Sequence, residues 1–143
     1  MMHKKGDPKT MQNRVCYESV VDELIEFFAR QLPILEERGI RKDRISIDPG
    51  IGFGKLLEHN LLILRNIERF RSFGSVLVGA SRKAFIGDII ANDFDRASAP
   101  VERLPGSIAA AIWLQQAGVD FLRVHDVFET KQAIAVWENI ASV

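Results

Sequence analysis

The chain has 143 residues, a hydrophobic fraction of 47%, and 19 basic (Lys+Arg) against 19 acidic (Asp+Glu) residues. These values are typical of one globular domain, and the zero net charge gives no reason to expect binding to nucleic acid or to an anionic membrane. The sequence contains no bilayer-spanning apolar run, no signal-peptide core at its start and a single cysteine, Cys16, so we expect a cytoplasmic protein without an internal disulfide.

The first part of the chain predicts a strand stub at residues 1–3, a long helix and a second strand. Residues 17–38 carry apolar side chains at helical spacing. Pro33 lies inside this pattern, and we expect it to kink the helix, or to end one helix and begin another. Gly39 predicts a left-handed helix end, and residues 44–48 read as the next strand.

The remaining elements continue the alternation of helices and strands. Asn60 predicts the cap of a helix that ends before Gly74, with an apolar stripe formed by Leu61, Leu64, Ile67 and Phe70. We expect a strand at 76–79, a short helix over 84–90, an Ala-rich helix over 107–117, a strand at 121–125 and a last helix at about 128–140. This repeated order predicts right-handed βαβ units and a parallel sheet.

Alternation along two strands places polar residues on one face. Ser46 and Asp48 share a face of their strand, as Arg123 and His125 do on theirs. A doubly wound open sheet is usually apolar on both faces, so a polar face favours a barrel interior. Because a complete (β/α)₈ barrel needs about 250 residues, we predict an α/β fold: the C-terminal part of a (β/α)₈ TIM barrel, or a truncated relative, as one partial domain over residues 1–143.

Three motifs follow the three predicted strands. They are Asp48-Pro-Gly-Ile-Gly-Phe-Gly-Lys55, Gly79-Ala-Ser-Arg-Lys83 and Arg123-Val-His-Asp126. The carboxyl ends of parallel strands meet at one crevice, where ligands bind. A carboxylate, a lysine, an arginine and a histidine at one rim predict a site for a polar heterocycle and an anion.

Each motif also has a plain structural interpretation. The Asp-Pro-Gly segment is common turn chemistry, although alternate glycines around Phe53 would let backbone approach a flat ligand. The spacing fits neither a phosphate-binding P-loop nor a dinucleotide-binding fingerprint. Arg82 and Lys83 would either hold an anion at a helix N-terminus or be solvated. We expect His3 and His59 to be exposed.

With two further stretches, the motifs resemble the dihydropteroate synthase family. The additional stretches are Met2-His3 with residues 5–12 and Glu102-Arg-Leu-Pro-Gly-Ser107, and all five occur in that family's order and spacing. The resemblance covers essentially the whole chain and corresponds to the family's C-terminal half.

The resemblance implies a transferase of folate biosynthesis. The family condenses 6-hydroxymethyl-7,8-dihydropterin diphosphate with 4-aminobenzoate, with Mg²⁺, and releases diphosphate and 7,8-dihydropteroate. No residue is assigned as a catalytic acid, base or nucleophile. The implied contacts are Asp48 and Lys83 for the pterin, Gly52, Phe53, Arg82 and Ala84 for the aminobenzoate, and Arg123 and His125 for the diphosphate.

The sequence departs from the family pattern at several positions, including Lys4, where a methionine commonly follows the histidine, and it has no counterpart of the family's two flexible loops or of its other pterin-binding Asp and Asn. Ala84 stands where the family usually has a serine that helps to hold the aminobenzoate carboxylate. The family's metal-binding asparagine has no counterpart, so the expected Mg²⁺ ligand is not in this chain. Family members dimerise through late helices, and we therefore expect a homodimer with contributions from Trp113, Trp137 and Ile140.

Two other functions remain open from the sequence. One is a pterin- or folate-binding methyltransferase domain, against which Arg123 and His125 argue, because methyl transfer has no diphosphate to hold. The other is a non-catalytic truncated remnant or assembly piece, since a partial barrel leaves strand edges open for pairing.

Overall fold

The fold is built on a short parallel sheet. The structure is a computed structural model that describes residues 1–6 and 16–143; the part of the first family motif beyond residue 6 lies outside the described residues. Three strands, β1 (Ser46–Ile47), β2 (Ser75–Val78) and β3 (Phe121–Leu122), pair in the order β1-β2-β3. Both pairings are parallel, as the repeated helix–strand order predicts.

The predicted strand stub lies beside β1. Met2 forms an isolated parallel bridge with Asp48. The Asp48 amide donates to Met1 O at 2.8 Å, and the His3 amide donates to Asp48 O at 2.9 Å. The N-terminal residues therefore extend the sheet on the side of β1 opposite β2.

In the ranges 1–6 and 16–143, five helices connect and flank the strands. They are α1 (Val20–Glu37), α2 (Leu57–Arg65), α3 (Ala84–Phe94), α4 (Leu104–Gln116) and α5 (Val127–Ala141), with 3₁₀ segments at Lys42–Arg44, Ile67–Phe73 and Pro100–Arg103. Within the described ranges, no helix is long and apolar enough to cross a membrane.

Pro33 does not divide the first helix. α1 runs through it as one element, so the alternative of two successive helices is wrong. Leu24, Phe28 and Leu32 are buried along one face of α1, and this packing keeps the helix continuous despite the hydrogen bond that proline lacks. The predicted left-handed end is present, since Gly39 has φ of 84°.

The predicted cap at Asn60 is wrong. α2 begins at Leu57, and Asn60 lies within it, 2% exposed. The predicted apolar stripe is shifted accordingly, because Leu61 is 42% exposed. Asn60 instead uses its side chain inside the fold, where it bonds to the preceding loop.

The two faces of the sheet differ sharply. Ile47, Val76 and Val78 are buried against the helices. The opposite face, which we call the inner face, carries Ser46 and, further along the sheet, Phe121, which is 51% exposed. Parallel strands with helices packed on one face form part of a (β/α)₈ barrel, and the inner face corresponds to its interior.

Candidate functional site

The loop after β1 begins with a local turn. The Gly50 amide donates to Asp48 Oδ1 at 2.7 Å, so the carboxylate both shapes the turn and stays at the strand end. Burial raises the pKa of the Asp48 carboxyl, while the Gly50 hydrogen bond and the charge of Lys83 act in the opposite direction. Asp48 is thus a partly buried acid close to cationic groups.

Two of the three loop glycines approach the chain's own backbone. A Cβ on Gly50 would lie 1.9 Å from His3 O, and one on Gly54 would lie 2.3 Å from Lys5 O. The prediction that these glycines admit a flat ligand is therefore wrong for both positions. Gly52 differs, because a Cβ there would lie 3.3 Å from Cδ of Lys83, a candidate ligand contact.

Lys55 is buried under the loop and holds it through hydrogen bonds. The residue is 3% exposed, and its ammonium donates to Gly50 O at 3.0 Å and to Phe53 O at 3.2 Å. The ammonium also lies 3.2 Å from His3 Nδ1. Burial lowers the pKa of Lys55 to about 8. Lys55 is the last residue of its motif, and the structure uses it to support the loop.

His3 is buried, contrary to its prediction as an exposed residue. It is 8% exposed, with its ring edge-on to Phe27 at 4.9 Å between ring centres. Burial, followed by the charge of Lys55, lowers the pKa of His3 to about 4. The sequence carried no signal for this burial other than the position of His3 in a strand stub. His59, also expected to be exposed, is half-buried.

Two further residues that sequence reasoning did not assign to the site fix this loop. Asn60 Oδ1 accepts from the Gly52 amide at 2.7 Å, and Tyr17 OH donates to Gly54 O at 3.1 Å. Asn60 shares a helix face with Ile63 and Leu64, so a polar residue in an apolar stripe was the available signal.

Lys83 connects the first two motifs. It caps α3, and its Nζ lies 3.9 Å from the centre of the Phe53 ring, a cation–π contact. Burial lowers the pKa of Lys83; the Asp48 charge opposes this effect, and the Arg123 charge adds to it. Lys83 is therefore close enough to Asp48 and to Arg123 to interact electrostatically with each of them.

Arg82 is held in a left-handed backbone conformation, with φ of 57°. Its amide donates to Ser107 Oγ at 2.8 Å, and Arg103 Nη1 donates to its carbonyl at 3.2 Å. Its guanidinium pairs with Asp126, with Nε 3.0 Å from Oδ2. Arg82 thus links the second and third motifs, and the adjacent Ala84 begins α3 as an exposed residue.

Arg123 and His125 lie on the inner face after β3. Arg123 extends over Gly79, where an added Cβ would lie 3.8 Å from the Arg123 Cβ. His125 contacts Ser81 in two ways: its amide lies 3.3 Å and its Nδ1 3.0 Å from Ser81 Oγ. Both basic side chains are exposed. The third motif therefore contacts the second motif through His125 and Ser81.

The structure brings the three motifs to one rim, as the sequence predicts. Phe53 and Gly52 adjoin Lys83, Lys83 interacts with Asp48, and Ser81 joins His125. An apolar groove of about 830 Å³ lies elsewhere, among α2, α3 and α4. Its lining supplies little polar chemistry, so the rim is the candidate site.

The residues present do not fit a Mg²⁺ site. Among residues 1–6 and 16–143, no three His, Cys, Asp or Glu side chains group closely enough to hold a metal ion. The Asp48 carboxylate accepts from the Gly50 amide and lies near ammonium groups, which do not favour a bound cation. We therefore assign no step to a metal in this chain.

The fold and rim define a partial (β/α)₈ barrel with a ligand site at the carboxyl ends of its strands. Residues 1–125 match the family model described as pterin binding enzyme. The chain belongs to the pterin-binding enzyme family.

Its relatives include dihydropteroate synthases. The Escherichia coli (strain K12) enzyme is 41% identical over 143 residues, covering 99% of this chain and 49% of the relative. The solved Stenotrophomonas maltophilia dihydropteroate synthase is 37% identical with a TM-score of 0.90, covering 100% of this chain and 52% of that one. A Xanthomonas albilineans dihydropteroate synthase in complex with 7,8-dihydropteroate is 36% identical with a TM-score of 0.85, covering 99% and 50%. The chain spans about half the length of the relatives it matches.

Proposed function

We propose that this chain forms the pterin- and diphosphate-binding side of a dihydropteroate synthase-type site. The reaction is the condensation of 6-hydroxymethyl-7,8-dihydropterin diphosphate with 4-aminobenzoate. The observation that carries the proposal is that the three motifs meet at one rim, where Lys83 Nζ lies 3.9 Å from the centre of the Phe53 ring and Ser81 Oγ lies 3.0 Å from His125 Nδ1. The 7,8-dihydropteroate in the matched Xanthomonas albilineans structure supports the same reaction.

Asp48 and Lys83 suit the two kinds of hydrogen-bonding group on a pterin. A carboxylate accepts from the N–H groups of an amino-pyrimidine edge, and an ammonium donates to ring nitrogen or carbonyl acceptors. Both side chains are partly buried, as the direction of their pKa changes indicates. Hydrogen bonds to a charged group in such surroundings orient the ring strongly.

The aminobenzoate side of the site would be formed around Lys83. Phe53 offers a ring face, and Gly52 leaves room beside the lysine stem. The exposed Ala84 stands at the N-terminus of α3, whose free amides favour a carboxylate. Arg82 contributes by fixing the turn that precedes α3, since its guanidinium is engaged with Asp126.

Arg123 and His125 would hold the diphosphate as it leaves. The amine nitrogen attacks the pterin methylene carbon, the carbon–oxygen bond breaks, diphosphate departs with the bonding electrons, and the amine loses a proton. Cationic and N–H donors aimed at the departing oxygens stabilise the developing negative charge. The neutral amine needs mainly orientation.

Three further properties stay predictions. The Mg²⁺ requirement and the cytoplasmic location follow from the resemblance and the composition. The homodimer would form through α4 and α5, where Ile108, Ile112, Val136, Trp137 and Ile140 border an apolar groove of about 610 Å³. Burying such a surface against a second copy would remove apolar area from water.

Calorimetric titration of the purified chain with the pterin diphosphate and with inorganic diphosphate tests the proposal. Asp48→Asn should weaken binding of the pterin diphosphate about tenfold or more, since it removes a charged acceptor. Asp22→Asn is the control, an exposed acid on α1 that pairs with Arg69. Equal weakening in both variants would refute the assignment.

The same titration separates the other functions. A chain that binds the pterin but not inorganic diphosphate would favour a methyltransferase-type domain. A chain that binds neither ligand would favour a non-catalytic remnant or assembly piece. In both cases the proposed transferase function is wrong.

A further inference from the structure

We infer that the Ser81 hydroxyl holds neutral His125 in the tautomer with its proton on Nε2, so that the ring presents an N–H donor to an anionic oxygen. The inference deepens the proposed function, because the anion in question is the departing diphosphate. It rests on the geometry of one buried hydroxyl and one exposed ring on adjacent strand ends.

Ser81 is buried, and among the residues that the structure describes its hydroxyl forms hydrogen bonds with one residue, His125. The side chain is 5% exposed, and Oγ lies 3.3 Å from the His125 amide nitrogen and 3.0 Å from His125 Nδ1. No buried side-chain nitrogen or oxygen in the described part of the chain lacks a partner. The Ser81 hydroxyl is therefore satisfied through His125.

The proton positions follow from this pairing. The His125 amide is only a donor, so Ser81 Oγ accepts there. The hydroxyl proton then needs an acceptor, and Nδ1 provides one only when it carries no proton. In the opposite tautomer Nδ1 would donate to the same oxygen, and the buried hydroxyl proton would have no acceptor. Leaving a buried donor unpaired disfavours that tautomer about tenfold or more.

The consequence for the site lies at Nε2. His125 is exposed on the inner face beside Arg123, and among residues 1–6 and 16–143 no side chain or backbone group pairs with Nε2. With its proton fixed there, the ring donates to phosphate oxygens and offers no lone pair in that direction. Ser81 is thus a positioning residue that acts through His125.

Long-range ¹H–¹⁵N NMR of the histidine ring, with the ring titrated to its neutral form, measures the tautomer directly. We expect a protonated Nε2 and an unprotonated Nδ1 for His125, assigned by loss of its signals in His125→Asn. Ser81→Ala should give a mixture of both tautomers, and Ser81→Thr should restore the Nε2–H form. Inorganic diphosphate should bind Ser81→Ala about tenfold more weakly than the unaltered chain.

Ser107→Ala is the matched control. Ser107 is also 5% exposed, and its hydroxyl bonds to Arg82 and Arg103 rather than to His125. This variant loses a buried hydroxyl of the same kind and should keep the His125 tautomer of the unaltered chain.

The outcomes separate this inference from the proposed function. A proton on Nδ1 in the unaltered chain, or an unchanged tautomer in Ser81→Ala, overturns the role of Ser81 even if diphosphate binds. An Nε2–H ring that becomes a mixture of tautomers in Ser81→Ala, in a chain that does not bind diphosphate, supports the role of Ser81 and refutes the proposed function. If Ser81→Ala does not fold, the spectrum of the unaltered chain still decides the tautomer.

Discussion

Protonation of His3 should destabilise the fold as the pH falls from 6.5 to about 4. The ordinary pKa of 6.5 applies to the unfolded chain, whereas burial and the nearby Lys55 charge lower the pKa of His3 to about 4 in the folded protein. Between these values the unfolded state binds more protons than the folded state. The free energy of unfolding therefore decreases as the pH falls through this window.

The size of the effect follows from the two pKa values. Each unit of difference corresponds to about 1.36 kcal/mol, so 6.5 against about 4 gives a loss of about 3 kcal/mol by pH 4. Above pH 6.5 the ring is neutral in both states and the stability contribution is fully present. Folding free energies of small domains are about 5–15 kcal/mol, which makes this loss readily measurable.

Urea unfolding at a series of pH values, with His3→Asn beside the unaltered chain, tests the argument. Asparagine keeps an acceptor for the Lys55 ammonium, which lies 3.2 Å from His3 Nδ1, but does not titrate. His59→Asn, on α2, is the control and should keep the acid-induced loss. Carboxyl titrations act in all three proteins, so the difference between them isolates His3. If the free energy of unfolding fell equally with pH in His3→Asn and in the unaltered chain, the reasoning would be refuted.

Three further predictions follow from the same contacts. The free energy of unfolding should rise as the pH increases from about 8 to 10.5, because Lys55 loses its proton at a lower pH in the folded state than in the unfolded state. Denaturation measured across this pH range should show no such rise for Lys55→Met. Gly50→Ala should prevent folding or lower the free energy of unfolding by several kcal/mol, because its Cβ would lie 1.9 Å from His3 O. Gly39→Ala is the control: its Cβ would have nothing within 4 Å, so the variant should lose only about 1 kcal/mol through backbone strain. Thermal denaturation measures both losses. Trp137→Ala should shift a homodimer toward monomer in sedimentation, and an unchanged mass would refute the proposed interface.

Much of the architecture was predictable because its signals are local. Apolar runs that follow the helix-ending Gly74 and Gly118 predicted β2 and β3, and both strands pair as expected. The rim was predictable for the same reason, since polar residues follow each apolar run. Helix bounds were less accurate: α4 begins at Leu104 rather than at 107, with a proline in its first turn that marks the start.

The missed features depend on contacts between distant parts of the chain. The burial of His3 depends on Phe27, and the position of Gly52 depends on Asn60. The left-handed conformation of Arg82 depends on the Ser107 hydroxyl, 25 residues further on. Sequence patterns report the spacing of side chains along one element, whereas these contacts arise when separate elements pack. The predicted exposure of His3 and the predicted cap at Asn60 were therefore wrong, because neither contact can be read from one element.

The charges at the rim would favour the anionic substrate that we propose for this site. The positive charge of Arg123 adds to the lowering of the Lys83 pKa, and the negative charge of Asp48 opposes it. The burial that lowers the pKa of Lys83 and raises that of Asp48 adds a cost to holding these groups charged in the absence of ligand. In the proposed function, a diphosphate ester would supply negative charge beside these cations, and its binding would offset that cost. In the proposed reaction, the charge on the leaving group would increase as the carbon–oxygen bond breaks, and the same cations would stabilise it further, which is the direction that lowers a reaction barrier.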